Sequence, residues 1–190
     1  MILASQSPRR RELLGLICRD FDVIPAMGEE RLPEGISPCE AVKLLSAQKA
    51  EEVAGVRFPD GAITDIIIAA DTVVSIDGEI LGKPRSREHA VEMLEHLSGR
   101  RHSVFTGVTV ITPEDRVTFA EETLVEFFPL TPQEIEAYAD TGEPMDKAGA
   151  YGIQGRGALL VKRIEGDYYN VMGLPVGELW RRLKGMNALV

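Results

Sequence analysis

The stretch "IIIAADTVVSI", residues 66–76, constrains this chain more than any other, because its apolar residues are consecutive rather than alternate. A strand with one wet face alternates, whereas one covered on both faces runs continuously apolar. The stretch is therefore read as a central strand between two covering layers. Its one charge, Asp71, falls where we expect the carboxyl end of that strand, the place where open α/β sheets gather ligands.

Shorter elements are arranged around it. Residues 2–4 read as a buried strand, 5–9 as a turn, and Arg10 onward as a helix with Ser7 as cap and Pro8 at its first position. "FDVIPA" reads as a strand, "GEERLPEGISP" as an extended loop, and Ser37-Pro38 repeats the cap-and-proline start for a helix to about Ala54. "DGEILGKP" is a turn or hairpin, and "SREHAVEMLEHLSG" a helix with Gly99 beyond its end. "HSVFTGVTVIT" and "RVTFAEETLVEFFPL" form a hairpin through "PEDR", and "TPQEIEAYADTG" is a helix ending at glycine. "ALLVKRIEGDYYNVMG" is read as a further hairpin turning near Gly166, and "PVGELWRRLKG" as an amphipathic helix. Irregular alternation with late hairpins favours a mixed α/β sheet.

At 190 residues, 44% of them hydrophobic, the chain can bury one sizeable core, and a single globular unit over 1–190 is expected. A net charge of −9 argues against a broad nucleic-acid surface, so any anion site must be local. Cys18 and Cys39 have no metal-ligand spacing and read as free thiols of a reducing, cytoplasmic compartment. No run approaches the length of a membrane span. His89, His96 and His102 lack ligand spacing and are read as solvent-exposed.

Against that acidic background "LASQSPRRRELL" stands out. A strand, a small-residue turn and a helix start offer outward N–H groups and hydroxyls to an anion, and arginine forks match phosphate. The plain alternative is a solvated basic helix start. Asp71 is read as paired or metal-binding, or else satisfied by backbone N–H groups. Glu29 and Glu30 offer a second carboxylate, or are simply solvated. Lys83 and Lys147 sit in loops where an exposed lysine is ordinary, and Lys49 lies among small residues of a helix. The glycines of "KAGAYGIQGRG" around Gln154 permit close backbone approach to a ligand, but match no Walker or GxGxxG pattern. No serine triad stands out.

In order, "LASQSPRRRELL", "AADTVV" with "DGEILGKP", "MLEHLSGRRHSVFTGV", "GEPMDKAGAYGIQG" and "GDYYNVMGLPVGEL" resemble the Maf family of nucleoside triphosphate pyrophosphatases, from about Ile2 to Leu183. The resemblance implies an inosine-triphosphatase-like fold: a mixed, elongated sheet flanked by helices, with a central cleft between two lobes. It implies hydrolysis between the α and β phosphates with Mg²⁺ or Mn²⁺, and a homodimer. Carried over, Asp71 is the proton acceptor, and Arg9, Thr72 and Gln154 are substrate-selecting positions. Ser7, Arg10, Lys49 and Lys83 fall to phosphates, and Glu30 joins Asp71 at the metal. Arg11 matches no such position. "KAGAYGIQG" looks like the branch acting on dTTP and UTP, with 5-methyl-UTP and pseudo-UTP as further expected substrates. Ser46 in "LLSAQKA" departs from the usual alanine. The family's name comes from inhibition of septum formation, so two alternatives stay open: a nucleotide-binding septum regulator without hydrolysis, and a 7-methyl-GTP pyrophosphatase.

Overall fold

The computed structural model describes residues 1–189. One seven-stranded mixed sheet runs through it, with strands β1 (Ile2–Leu3), β2 (Asp22–Val23), β3 (Ile67–Ile76), β4 (Glu79–Leu81), β5 (Arg101–Ile111), β6 (Arg116–Phe127) and β7 (Val161–Glu165). The order is β2-β1-β3-β5-β6-β7, and β4 also pairs with β3. β1 is parallel to β2 and β3, while every pairing from β3 through β7 is antiparallel. The expected mixed α/β sheet flanked by helices is what forms.

Helices α1 (Pro8–Leu14), α2 (Pro38–Arg57), α3 (Arg87–Leu97), α4 (Pro132–Ala139), α5 (Tyr168–Met172) and α6 (Val176–Gly185) lie between and after the strands. Three of them start with the hydroxyl-then-proline pair read from the sequence. Ser7, Ser37 and Thr131 each accept a bond from the N–H three residues on, and proline follows where no donor is needed. Thr131 and Glu134 complete a reciprocal capping box. The β3–β4 turn has positive φ at both Asp77 and Gly78, the twist that joins a right-handed hairpin.

β3 is buried along nearly its whole length and feeds three apolar clusters: Val74 and Ile76 one, Ile68 and Ala70 a second, Ile67 and Ala69 a third. Its continuous apolar run is thus explained by cover on both faces. Two expectations fail. The stretch after β7 does not return as a strand, because Asp167 caps a new helix, α5, which Gly173 ends at φ 108°. A chain leaving the sheet edge there packs α5 back over β5 and β6 instead. Asp71 is also not at the carboxyl end of β3 but midway along it.

Candidate functional site

The position of Asp71 becomes intelligible from the pairing of β3. One edge of β3 is taken by β5 from Ile67 to Ser75. On the other edge β1 pairs only with Ile67 and Ile68, and β4 only from Val74 onward. Between them, Ala69 to Val73 is an open edge in the middle of the sheet. Carboxyl-end geometry therefore exists, but it belongs to β1, which stops just before this gap. A cleft of about 670 Å³ occupies the region, and the nine residues to which the family resemblance gives a role all line it: Ser7, Arg9, Arg10, Glu30, Lys49, Asp71, Thr72, Lys83 and Gln154.

Successive residues of a strand face opposite ways, so Asp71 and Thr72 reach the cleft from the two sides of β3. On the Asp71 side the opposite residue of β5 is Gly107. A Cβ there would lie 2.2 Å from the carbonyl oxygen of Val42, so only glycine lets α2 approach this closely. That approach carries Lys49 to Asp71: its ammonium donates to Oδ1 at 2.5 Å and pairs with Glu30 Oε1 at 2.7 Å. Lys49 is thus no solvated helix lysine but a bridge between two carboxylates, one of them, Asp71, only 9% exposed. Ser46, one turn earlier, bonds Thr109 at 3.0 Å, and Thr109 bonds Thr118. The unusual serine is accommodated as part of a hydroxyl ladder under α2.

On the Thr72 side, the hydroxyl of Thr72 lies 2.9 Å from that of Thr106, which donates to the carbonyl of Asn170. Arg10 closes this face: Nε donates to Gly173 O at 2.8 Å, one terminal nitrogen to Thr72 Oγ1 at 3.0 Å and the other to Ser5 Oγ at 3.3 Å. Burial lowers the guanidinium's pKa, and the charge of Asp71 works in the opposite direction. Three of its five N–H donors are spent on the protein, which fixes the group while leaving donors for an incoming anion. Since α1 is only seven residues long, the cationic character of this corner comes from its arginines rather than from a helix end. Arg11 is exposed, as expected.

Arg9 reaches across to Asp146 at 3.6 Å. The far wall is the loop from Lys147 to Gln154, laid against β3 at Gly149, where a Cβ would press on Val74. Lys147, read from the sequence as an ordinary exposed loop lysine, is instead largely buried and donates to Glu143 O at 2.6 Å and Asp146 Oδ1 at 2.5 Å. One further residue of this wall has no reading from the sequence. Tyr151, buried beneath the glycines, forms part of the wall. An aromatic embedded in a run of glycines was the signal available for it. Lys83 and Gln154 are exposed at the cleft, and Lys83 has no ion-pair partner among the described residues.

His102, expected at the surface, is instead buried on β5 against Tyr151. Among the described residues no group of three or more His, Cys, Asp and Glu side chains is placed to hold a metal ion. The carboxylates that converge are the two of Glu30 and Asp71. No helix of the described residues is long and apolar enough to cross a membrane.

Comparison with known proteins agrees with this layout. A family model described as Maf-like protein matches residues 1–186. The dTTP/UTP pyrophosphatase of Bacillus velezensis is 52% identical over 187 residues, covering 98% of this chain and 96% of the relative. That of Carboxydothermus hydrogenoformans is 53% identical over 184 residues, 96% of each chain. Among solved structures, the Staphylococcus aureus Ham1 protein aligns over 97% of this chain and 98% of its own with a TM-score of 0.52. At 18% identity that likeness speaks for the fold alone. With the family match spanning nearly the whole sequence and the relatives about half identical throughout, the chain belongs to the Maf-like protein family.

Proposed function

We propose that the cleft hydrolyses nucleoside triphosphates to the monophosphate and pyrophosphate, with dTTP and UTP preferred and 5-methyl-UTP and pseudo-UTP accepted. The observation that carries this reading is the convergence of one acceptor carboxylate, Asp71, with the cations Arg9, Arg10, Lys49 and Lys83 in a single cleft of a Maf-family chain. Half-identity to two proteins named dTTP/UTP pyrophosphatase supports the substrate class.

In this reading Arg10, Lys49, Lys83 and the Ser7 hydroxyl take the phosphates, and Arg9, Thr72 and Gln154 discriminate the nucleoside. Water attacks the α-phosphorus and the bond to the β-phosphate oxygen breaks, its electron pair leaving on pyrophosphate. Asp71 accepts the water's proton. Before it does so, Lys49 must release it, and a triphosphate offers that ammonium a competing anion. The Glu30–Asp71 pair fits Mg²⁺ or Mn²⁺, since both carboxylates already face one positive charge and such ions take one or two protein carboxylates beside substrate phosphates. When bound, the ion would supply neutralisation of phosphate charge.

Pyrophosphate release from a panel including dTTP, UTP, 5-methyl-UTP, dATP and 7-methyl-GTP, with and without each metal, tests the proposal. Metal-dependent release led by dTTP and UTP is the expected result. A lead by 7-methyl-GTP would overturn the role given to Gln154. No release from folded protein that binds nucleotide would turn the cleft into a sensor and favour the septum-regulator reading.

A further inference from the structure

We infer that His102 is a positioning residue for nucleotide selection: from the central sheet it holds the phenol of Tyr151, and through it the wall formed by Lys147 to Gln154. The inference rests on the reading that this cleft receives a nucleoside triphosphate.

His102 is 3% exposed, and its Nε2 lies 2.7 Å from the Tyr151 hydroxyl. Its other ring nitrogen, Nδ1, makes no well-formed hydrogen bond, and the backbone of Arg100 offers the ring only a marginal one. A buried polar atom left poorly paired is unfavourable, and an apolar side chain of similar shape avoids it. The bond to Tyr151 is therefore the principal contribution of the imidazole beyond packing. The ring also meets Phe127 and Tyr151 edge to face, with centroids 5.0 and 5.3 Å away, and those two rings are 4.7 Å apart. Tyr151 is gripped on two sides by rings from β5 and β6.

What Tyr151 restrains is a loop that is not at ease by itself. Gly149 has φ +67°, and the next residue, Ala150, has φ +59°, a conformation that L-residues keep only when their surroundings impose it. Other ties exist: Lys147 to the carbonyl of Glu143, and the Gly152 N–H to the hydroxyl of Tyr138 on α4. His102 is a side-chain anchor from the sheet carrying Asp71, acting beside the backbone bond from the Gly149 N–H to the carbonyl of Gly82 just past the end of β4. It thereby helps to fix the distance between the catalytic strand and the wall bearing Gln154, without touching the reacting atoms.

The test compares His102→Phe, His102→Gln and Tyr151→Phe with the wild type. Readouts are amide hydrogen exchange over residues 148–154 and the kcat and KM for dTTP and dATP, with nucleotide binding by calorimetry. Loss of one buried hydrogen bond predicts exchange faster by roughly tenfold, and a dTTP preference weakened by about the same factor through KM. Turnover at saturating dTTP stays within about threefold, because the positioned loop contributes binding rather than the acceptor. His102→Gln, whose amide offers both a donor and an acceptor to the phenol, recovers part of both effects. The double variant His102→Phe with Tyr151→Phe equals either single one, since the bond is broken once. Folded single variants with wild-type exchange and wild-type preference would overturn the inference. So would an equal kcat loss on both nucleotides with exchange unchanged. If His102→Phe fails to fold, Tyr151→Phe carries the same comparison. Wild-type protein that releases no pyrophosphate overturns the pyrophosphatase reading only, because exchange and dTTP affinity still decide the role of His102.

Discussion

Lys49 lies between Glu30 and Asp71 with both partners within hydrogen-bond reach, so one ammonium faces two carboxylates. Removing it strands a buried negative charge. Lys49→Met should cost about 1–3 kcal/mol of stability, the usual penalty for a buried polar group losing its partner, measured by urea unfolding. Asp71→Asn keeps the shape and a hydrogen-bonding oxygen, and should fold normally while losing roughly 10²- to 10⁴-fold in turnover, the range for a positioned base. Wild-type turnover by that variant would remove Asp71 from the mechanism. Gln154→Ala, at an exposed position on the cleft wall, should relax pyrimidine preference more than it slows hydrolysis. A nucleotide panel showing equal losses on every substrate would refute that role. At this scale the sequence was informative wherever a charge broke its local context: Asp71 in an apolar strand, three arginines in an acidic chain. It misleads on Lys147 and His102, both read as exposed, because their burial comes from segments distant along the chain. Nothing beside His102 in sequence foretells Tyr151.

Among elements, the contact between α2 and β5 sets the geometry of the site. Gly107 is the only residue type that fits under Val42, and the same close approach brings Lys49 within reach of Asp71. Gly107→Ala would drive a methyl into a backbone carbonyl. We expect a destabilisation of about 3 kcal/mol, at the upper end for overpacking, visible as a lower urea midpoint and accompanied by lost turnover as α2 shifts. A variant that unfolds at the wild-type midpoint would show that α2 can slide freely. Helix starts were legible because Ser-Pro and Thr-Pro carry a local mechanism that tertiary structure has little reason to override. The hairpin expected after β7 failed for the complementary reason. Its tyrosines and valine favour a strand, but Asp167 and Gly173 punctuate a helix, and α5 gains cover on β5 and β6. Similarly, no local signal reveals that β1 and β4 leave an open edge on β3, which is why the sequence reading places at the carboxyl end an aspartate that lies mid-strand.

Across the whole molecule, β3 contributes to all three apolar clusters, so losing the strand removes part of each and couples them. Far-ultraviolet dichroism and the fluorescence of Trp180, the single tryptophan, should report one coincident urea transition. Separate midpoints would divide the core. Acid should weaken the fold through His102, whose pKa burial pulls from 6.5 down to about 4. The folded state resists protonation that the unfolded chain accepts, so stability present above pH 6.5 is lost as the pH falls toward 4. A shift of that size corresponds to about 3 kcal/mol, and His102→Phe should flatten that part of the pH–stability curve by a comparable amount. An unchanged slope would place the acid sensitivity in the carboxylates. The pairing of Ile2 with Ile67 has a further consequence, for the order of assembly. β5 and β6 are neighbours joined by a tight turn and can zip early, whereas β1 must close a long loop before it meets β3. Ser7, Arg9 and Arg10 arrive with that late strand. A refolding chain should regain its antiparallel sheet before it regains affinity for nucleotide, so newly made protein passes through an interval in which it is structured but not yet able to act.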